Sequence, residues 1–246
     1  MEYIHKFAVY THIILGSFAL LLFWVPVIAK KGGGAHNRFG RYYNWAMYGT
    51  SILGVLACIL VLADPLSAKP KGFADVQQQV QYIQQSRIFA LFLLMLSLLV
   101  LASIYHGERV LKAKGNASLL RTPLHLSLLI LLLVVATLSL LVGIQFSQTL
   151  LIVFAGVSLL VGTRMLRYVA QRNIAPRAWV IEHMGAMLGS GIGVYTAFSA
   201  VGGRHVFSYI LGEQAVFLSW ILPSVIGVVA ISWGRRHYTT KFRVGC

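Results

Sequence analysis

Seven apolar runs, each about twenty residues long, constrain this chain more than any other feature; short polar stretches between them hold nearly all its charge. A helix rises 1.5 Å per residue, so about twenty residues cross a hydrocarbon core about 30 Å thick. In lipid the backbone must satisfy its own polar groups, which leaves helices or closed barrels. Barrel strands would be shorter and would alternate in polarity, and these runs do neither. The pattern predicts an all-α, polytopic seven-helix transmembrane bundle, a single integral membrane domain over residues 1–246. The spans fall at about 7–29, 44–63, 87–106, 123–143, 148–168, 178–200 and 214–233. Only 11% of the residues are charged, against about 25% in a soluble domain. A soluble globular domain, a disordered chain and a disulfide-stapled module are thereby excluded.

The span edges carry helix punctuation. Thr122-Pro123 reads as an N-cap followed by proline at the first helical position. Pro176 precedes the sixth span, while Pro26 and Pro223 fall inside spans, where kinks are expected. The opening Met-Glu-Tyr-Ile-His-Lys is not the basic region of a secretory signal, so the first span is expected to be retained.

Charge gives the expected orientation. Lys30, Lys31, Arg38, Arg41, Arg109, Lys112, Lys114, Arg121, Arg164, Arg167, Arg172, Arg177, Arg235, Arg236, Lys241 and Arg243 fall on one side of the threaded chain. Lys6, Lys69, Lys71, Arg87 and Arg204 fall on the other. The positive-inside rule then puts the N-terminus outside and the C-terminus in the cytoplasm, with the bacterial inner membrane as the expected location. The formal net charge of +15 belongs to four short loops. That is a pattern of topology and anionic-lipid contact, not of nucleic-acid binding. Cys58 lies in mid-membrane and Cys246 ends the chain, so no disulfide is expected. Between Asp64 and Ser86, the residues Phe73, Val76, Val80 and Ile83 recur at helical spacing among glutamines. This segment is expected to lie on the outer surface, as a connector or a lid, or to extend the third span. No Walker loop, dinucleotide fingerprint or Cys-x-x-Cys occurs.

Ionisable residues at membrane depth are costly and therefore point to function. Antiparallel threading brings His36, His106, His125 and His183 to one inner layer, joined by Glu108 and Glu182, with Tyr48 and Tyr105 at similar height. On the sixth helix His183, Met187, Ser190 and Val194 share a face, and Gly185, Gly189 and Gly193 form a small-residue stripe. Such a stripe serves close helix packing or provides a slot for a flat cofactor. His12 stands apart, about 9 Å below the outer surface, as a proton-accessible group or a substrate contact.

The stretches His12-Ile-Ile-Leu-Gly16-Ser-Phe-Ala-Leu and Gly34-Ala-His36-Asn-Arg38-Phe-Gly40-Arg41-Tyr42 resemble the opening of an uncharacterised family of small bacterial and fungal polytopic membrane proteins. Glu182-His183-Met-Gly-Ala-Met187-Leu-Gly-Ser, followed by Thr196-Ala197-Phe198, is similar to that family's later His-x-x-x-Met segment. The resemblance covers the two ends of the chain. It implies the fold and singles out His12, His36, His183 and Met187, without a reaction.

Two chemical readings stand side by side. In the first, His125 and His183 are axial ligands of a b-type haem, with His106 able to replace either and with Arg38 and Arg41 holding propionates. The protein would then be a membrane oxidoreductase exchanging electrons with quinone or a small hydrophobic substrate. In the second, His36, His106, His125 and His183 bind zinc, with Glu182 or Glu108 as general base of a hydrolase. Met187 beside His183 would favour copper instead. A third reading is a small-molecule or ion carrier. A retinal pump is excluded because the seventh span has no lysine. The lipid bilayer is the expected partner, and a homo-oligomer fits all three readings.

Overall fold

The structure, a computed structural model, describes residues 2–68, 72–202, 209 and 215–244. Lys69, Lys71, Arg204 and Cys246, used above, lie outside the described residues. Seven helices are long and apolar enough to cross a membrane: α1 (Glu2–Ile28), α2 (Gly34–Ala63), α3 (Val76–Ala113), α4 (Pro123–Gln145), α5 (Thr149–Ala170), α6 (Ala178–Ala197, continued by a π turn to Gly202) and α7 (Ala215–Lys241). The described residues contain no strand. The chain is an integral membrane protein of seven spans.

Two boundaries differ from the sequence expectation, and at a third the structure decides between the readings left open. The glycine-rich stretch before Tyr42 falls outside the expected span 44–63, but only its first part turns. Gly32 takes φ 76°, Gly33 is extended, and α2 is already helical from Gly34, so His36, Arg38 and Arg41 sit on its first turns. Of the readings open for the segment before Ser86, the structure bears out the extension of the third span: from Val76 onward it belongs to α3. Asp75 caps it, its carboxylate accepting from the Gln78 amide at 2.7 Å. Val76 and Val80 remain exposed on this extension. α3 also continues beyond His106 to Ala113. Apolar runs mark what lipid requires, whereas the helix itself continues for as long as its backbone bonds and caps permit.

α3 is the central column, packing against α2, α4, α5 and α6. α1 lies mainly on α2, α5 on α4, and α7 on α6. One core gathers Phe92, Leu98, Leu129, Phe154, Val169 and their neighbours from α3, α4 and α5. The α7 side chain Trp220 closes it against Phe92 and Phe154, with ring centroids 5.0 and 6.0 Å away. A second core joins Phe23, Tyr43, Met47, Ile104 and Val194 from α1, α2, α3 and α6. The large apolar residues left exposed, such as Phe7, Phe18, Ile130 and Val229, face outward, as expected where the solvent is lipid.

The antiparallel threading gathers all sixteen cations of the basic group at one end of the bundle, called here the basic end. There the last carbonyls of α1 are satisfied from across the turn. Lys31 Nζ donates to the Pro26 and Val27 carbonyls, and His36 Nδ1 donates to Pro26 O at 2.9 Å. Arg121 does the same for α5, donating to the carbonyls of Val169, Ala170 and Gln171. Arg177 donates to Phe242 O beyond the end of α7.

Candidate functional site

The site is built where α3, α4 and α6 converge at the basic end. α4 starts as its sequence predicts, with Pro123 at the first position and the Thr122 hydroxyl accepting from the His125 amide at 3.3 Å. This cap fixes His125 in the first turn, aimed inward and fully buried. His106, also fully buried, reaches it from α3: His106 Nδ1 and His125 Nε2 are 3.2 Å apart. The other nitrogen of His106, Nε2, is 3.2 Å from Glu182 Oε1 on α6. His125 Nδ1 lies 2.8 Å from the Leu120 carbonyl. Tyr105 and Tyr168 close the flanks, edge-on to His125 and His106. The Tyr168 hydroxyl is buried without a hydrogen-bond partner among the described residues.

Hydrogen positions follow from the partners. A carbonyl only accepts, so His125 Nδ1 carries a hydrogen. One hydrogen then occupies the gap between the two imidazoles, and one occupies the gap between His106 and Glu182. Three arrangements satisfy this. With both hydrogens displaced toward α6, the carboxyl is protonated and both rings are neutral. With the second hydrogen on His106, that ring is an imidazolium facing a carboxylate. With the first hydrogen moved on to His125, the positive charge sits on α4. Two short proton shifts thus carry a unit charge from α6 to α4 through α3. α4 and α6 share no packed interface, so His106 is the link between them.

His183 lies beside this chain without joining it. Its Nδ1 donates to the Gly107 carbonyl at 2.9 Å, one residue past His106. The helices meet closely at that point: a Cβ on Gly107 would be 3.1 Å from the Ala186 Cβ and would overlap the Met187 methyl. His36 stands within electrostatic reach of His183. Both rings have Nδ1 tied to a backbone carbonyl, and neither Nε2 makes a hydrogen bond among the described residues.

The groups do meet at one level, at the basic end, but their pairing differs from the expectation. His125 and His183 are not presented to a common slot, because the His106–Gly107 segment of α3 lies between them and engages both. His36, His106, His125 and His183 do not converge: among the described residues no group of three or more His, Cys, Asp or Glu side chains is placed to hold a metal ion. Glu108 stands apart from the imidazoles, accepting from the Tyr48 hydroxyl at 2.8 Å and paired with Lys112. Arg38 and Arg41 are exposed on α2. The glycine stripe is divided in use. A Cβ on Gly193 would meet Val100 of α3, whereas Gly185 and Gly189 have nothing within 4 Å. That open strip shares a face with Glu182, whose side chain is 17% accessible.

Two polar stations lie deeper. Tyr43, buried in α2, bonds Ser190 of α6 at 2.8 Å, and Ser190 in turn donates to the Met187 carbonyl. His12 lies about 21 Å along α1 from the Pro26 level, fourteen residues at 1.5 Å each. Its Nδ1 donates to Thr50 O at 2.7 Å, and Ser97 and Gly54 border its ring. Sequence reasoning found His12 and Ser190 but missed Tyr43, whose one signal was a hydroxyl within an apolar helix face. The carbonyls of Leu120, Gly107 and Pro26 leave no signal in the sequence.

Comparison with protein-family models, curated proteins and solved structures finds no match for this chain.

Proposed function

We propose that this integral membrane protein translocates protons, with Glu182, His106 and His125 as the loading relay. One observation carries the reading: two fully buried histidines and a carboxylate form an unbroken hydrogen-bonded chain linking three membrane-spanning helices. Ionisable groups are expensive at that depth, and proton pathways are among the functions that retain them. The open strip along Gly185 and Gly189 gives Glu182 its access. Tyr43–Ser190 and His12 continue the polar groups toward the opposite end, at intervals longer than a hydrogen bond. Transfer between stations is therefore gated, not continuous. The positive-inside rule puts the relay at the cytoplasmic face and His12 near the outer one. Of the four residues singled out by the family resemblance, His12 belongs to this path, and His183 and Met187 border it.

The test is proton uptake into proteoliposomes carrying an internal pH-sensitive dye, driven by a potassium diffusion potential. Wild-type protein is expected to take up protons, and Glu182→Gln to lower the rate at least tenfold. Gln keeps a donor for His106 but cannot release a proton. His237→Ala, which alters a ring stacked on Trp233 of α7, is expected to leave the rate unchanged. Uptake by Glu182→Gln at the wild-type rate, or none by wild type, refutes the reading.

A redox reading keeps one specific support, at a different pair. His36 and His183 each hold Nδ1 on a carbonyl and leave Nε2 free, the arrangement that orients an imidazole toward a metal or haem iron. On this reading, purified protein shows a Soret band that moves on dithionite reduction. His36→Ala and His183→Ala remove it, and His125→Ala does not.

A further inference from the structure

The basic end of the bundle has a cleft that no side chain of the relay lines. It has a volume of about 290 Å³ and lies between the start of α4 and the end of α5, lined by Arg121, Leu126, Leu166, Val169, Ala170 and Arg172. Its two ends differ in chemistry. Leu126 and Leu166 lie about one turn inside their helices and form an apolar wall running into the membrane. Arg121 and Arg172 stand at the mouth. Arg121 is held in place by its bonds to the three α5-end carbonyls, which occupy Nε and Nη2 and leave Nη1 without a hydrogen bond among the described residues. Arg172 is exposed. The chain has six carboxylates against twenty-one lysines and arginines. The two near this end of the bundle are engaged elsewhere, Glu108 with Lys112 and Glu182 with His106. No described carboxylate pairs with either arginine of the cleft.

We infer that this cleft binds one anionic phospholipid, its phosphodiester at Arg121 and Arg172 and an acyl chain along Leu126 and Leu166. A fixed guanidinium beside a mobile one supplies planar donors for phosphate oxygens. The apolar wall is what separates a lipid from a free anion, since inorganic phosphate gains nothing from it. Basic pockets between helix ends on the cytoplasmic side suit such headgroups. None of Glu182, His106 and His125 lines the site, and the inference does not depend on their role.

The experiment is native mass spectrometry of the full chain released from mixed micelles, titrated in turn with phosphatidylglycerol, phosphatidylcholine and inorganic phosphate. Wild type is expected to retain one phosphatidylglycerol in preference to phosphatidylcholine. Arg172→Ala is expected to weaken it about fivefold, the loss of one near-surface cation. Leu166→Gln is expected to weaken phosphatidylglycerol as well, without changing any phosphate adduct. Arg236→Ala, which removes a cation from α7, is expected to have no effect. Arg121 is left intact because it also caps α5. Equal retention of phosphatidylcholine, equal weakening by Arg236→Ala, or inorganic phosphate competing at the lipid's own concentration overturns the inference.

Discussion

Replacing Gly107 with alanine tests the contact that aligns the relay. The added Cβ overlaps the Met187 methyl and comes within 3.1 Å of the Ala186 Cβ and 3.7 Å of the His183 carbonyl. Met187 can swing its flexible tip away. Ala186 cannot, because its Cβ moves only with α6. The helices must therefore separate by a few tenths of an ångström where Gly107 accepts from His183 and His106 meets Glu182. Overpacking of this kind costs about 1–3 kcal/mol. Against it, alanine gains about 0.8–1 kcal/mol over glycine in a helix interior. Gly156→Ala isolates that gain, because Gly156 lies within α5 with nothing within 4 Å. Helix unfolding in mixed micelles, followed by circular dichroism as denaturing detergent increases, should show Gly156→Ala more stable than wild type. Gly107→Ala should be less stable by about 1 kcal/mol, so the two differ by the steric cost. Adding Ala186→Gly to Gly107→Ala should recover most of the steric loss, and proton uptake should fall and recover in parallel. If Gly107→Ala matches Gly156→Ala in sign and size, α3 and α6 are not in close contact and the relay geometry is wrong.

Thr122→Ala removes the hydroxyl cap of α4 and should cost about 1 kcal/mol in the same unfolding assay, with His125 the first ring to lose its fixed environment. Tyr43→Phe leaves the Ser190 hydroxyl on Met187 O and should cost about 1 kcal/mol while slowing proton uptake; an unchanged rate would remove Tyr43 from the path. Gly191→Ala puts a Cβ into the Phe23 ring, itself flanked by Trp24, Tyr43 and Tyr195. It should destabilise by about 2–3 kcal/mol, and wild-type stability would contradict the packing there. Nitrogen-15 spectra of the neutral rings should show hydrogen on Nδ1 at His12, His36, His125 and His183; a neutral His125 with its hydrogen on Nε2 would break the chain deduced above.

Spans and depth were legible from the sequence because lipid imposes both. A run of apolar residues must become a helix, and counting from its ends gives the height of each histidine. His106, His125 and Glu182 were thus placed in one layer although α3, α4 and α6 are far apart along the chain. Pairing was not legible, because it depends on helix rotation and on which carbonyls are within reach. His183 and His125 have the right height for a shared ligand, but α3 stands between them and supplies the Gly107 carbonyl to one and the His106 ring to the other. The start of α2 was hidden by Gly32, Gly33 and Gly34, of which only the first adopts a left-handed turn. The extension of α3 before Ser86 was legible as one reading from the helical spacing of Val76, Val80 and Ile83, although its glutamines are too polar for lipid.

At 38 residues α3 is about 57 Å long, nearly twice the thickness of the hydrocarbon layer it crosses. Such a helix must stand proud of the bilayer or lean within it, and the helices packed on it must follow. Changes in membrane thickness would therefore tilt the shaft on which the other six helices are carried, directly or through a neighbour. The separation of His106 from its neighbours on α4 and α6 would then respond to the host lipid.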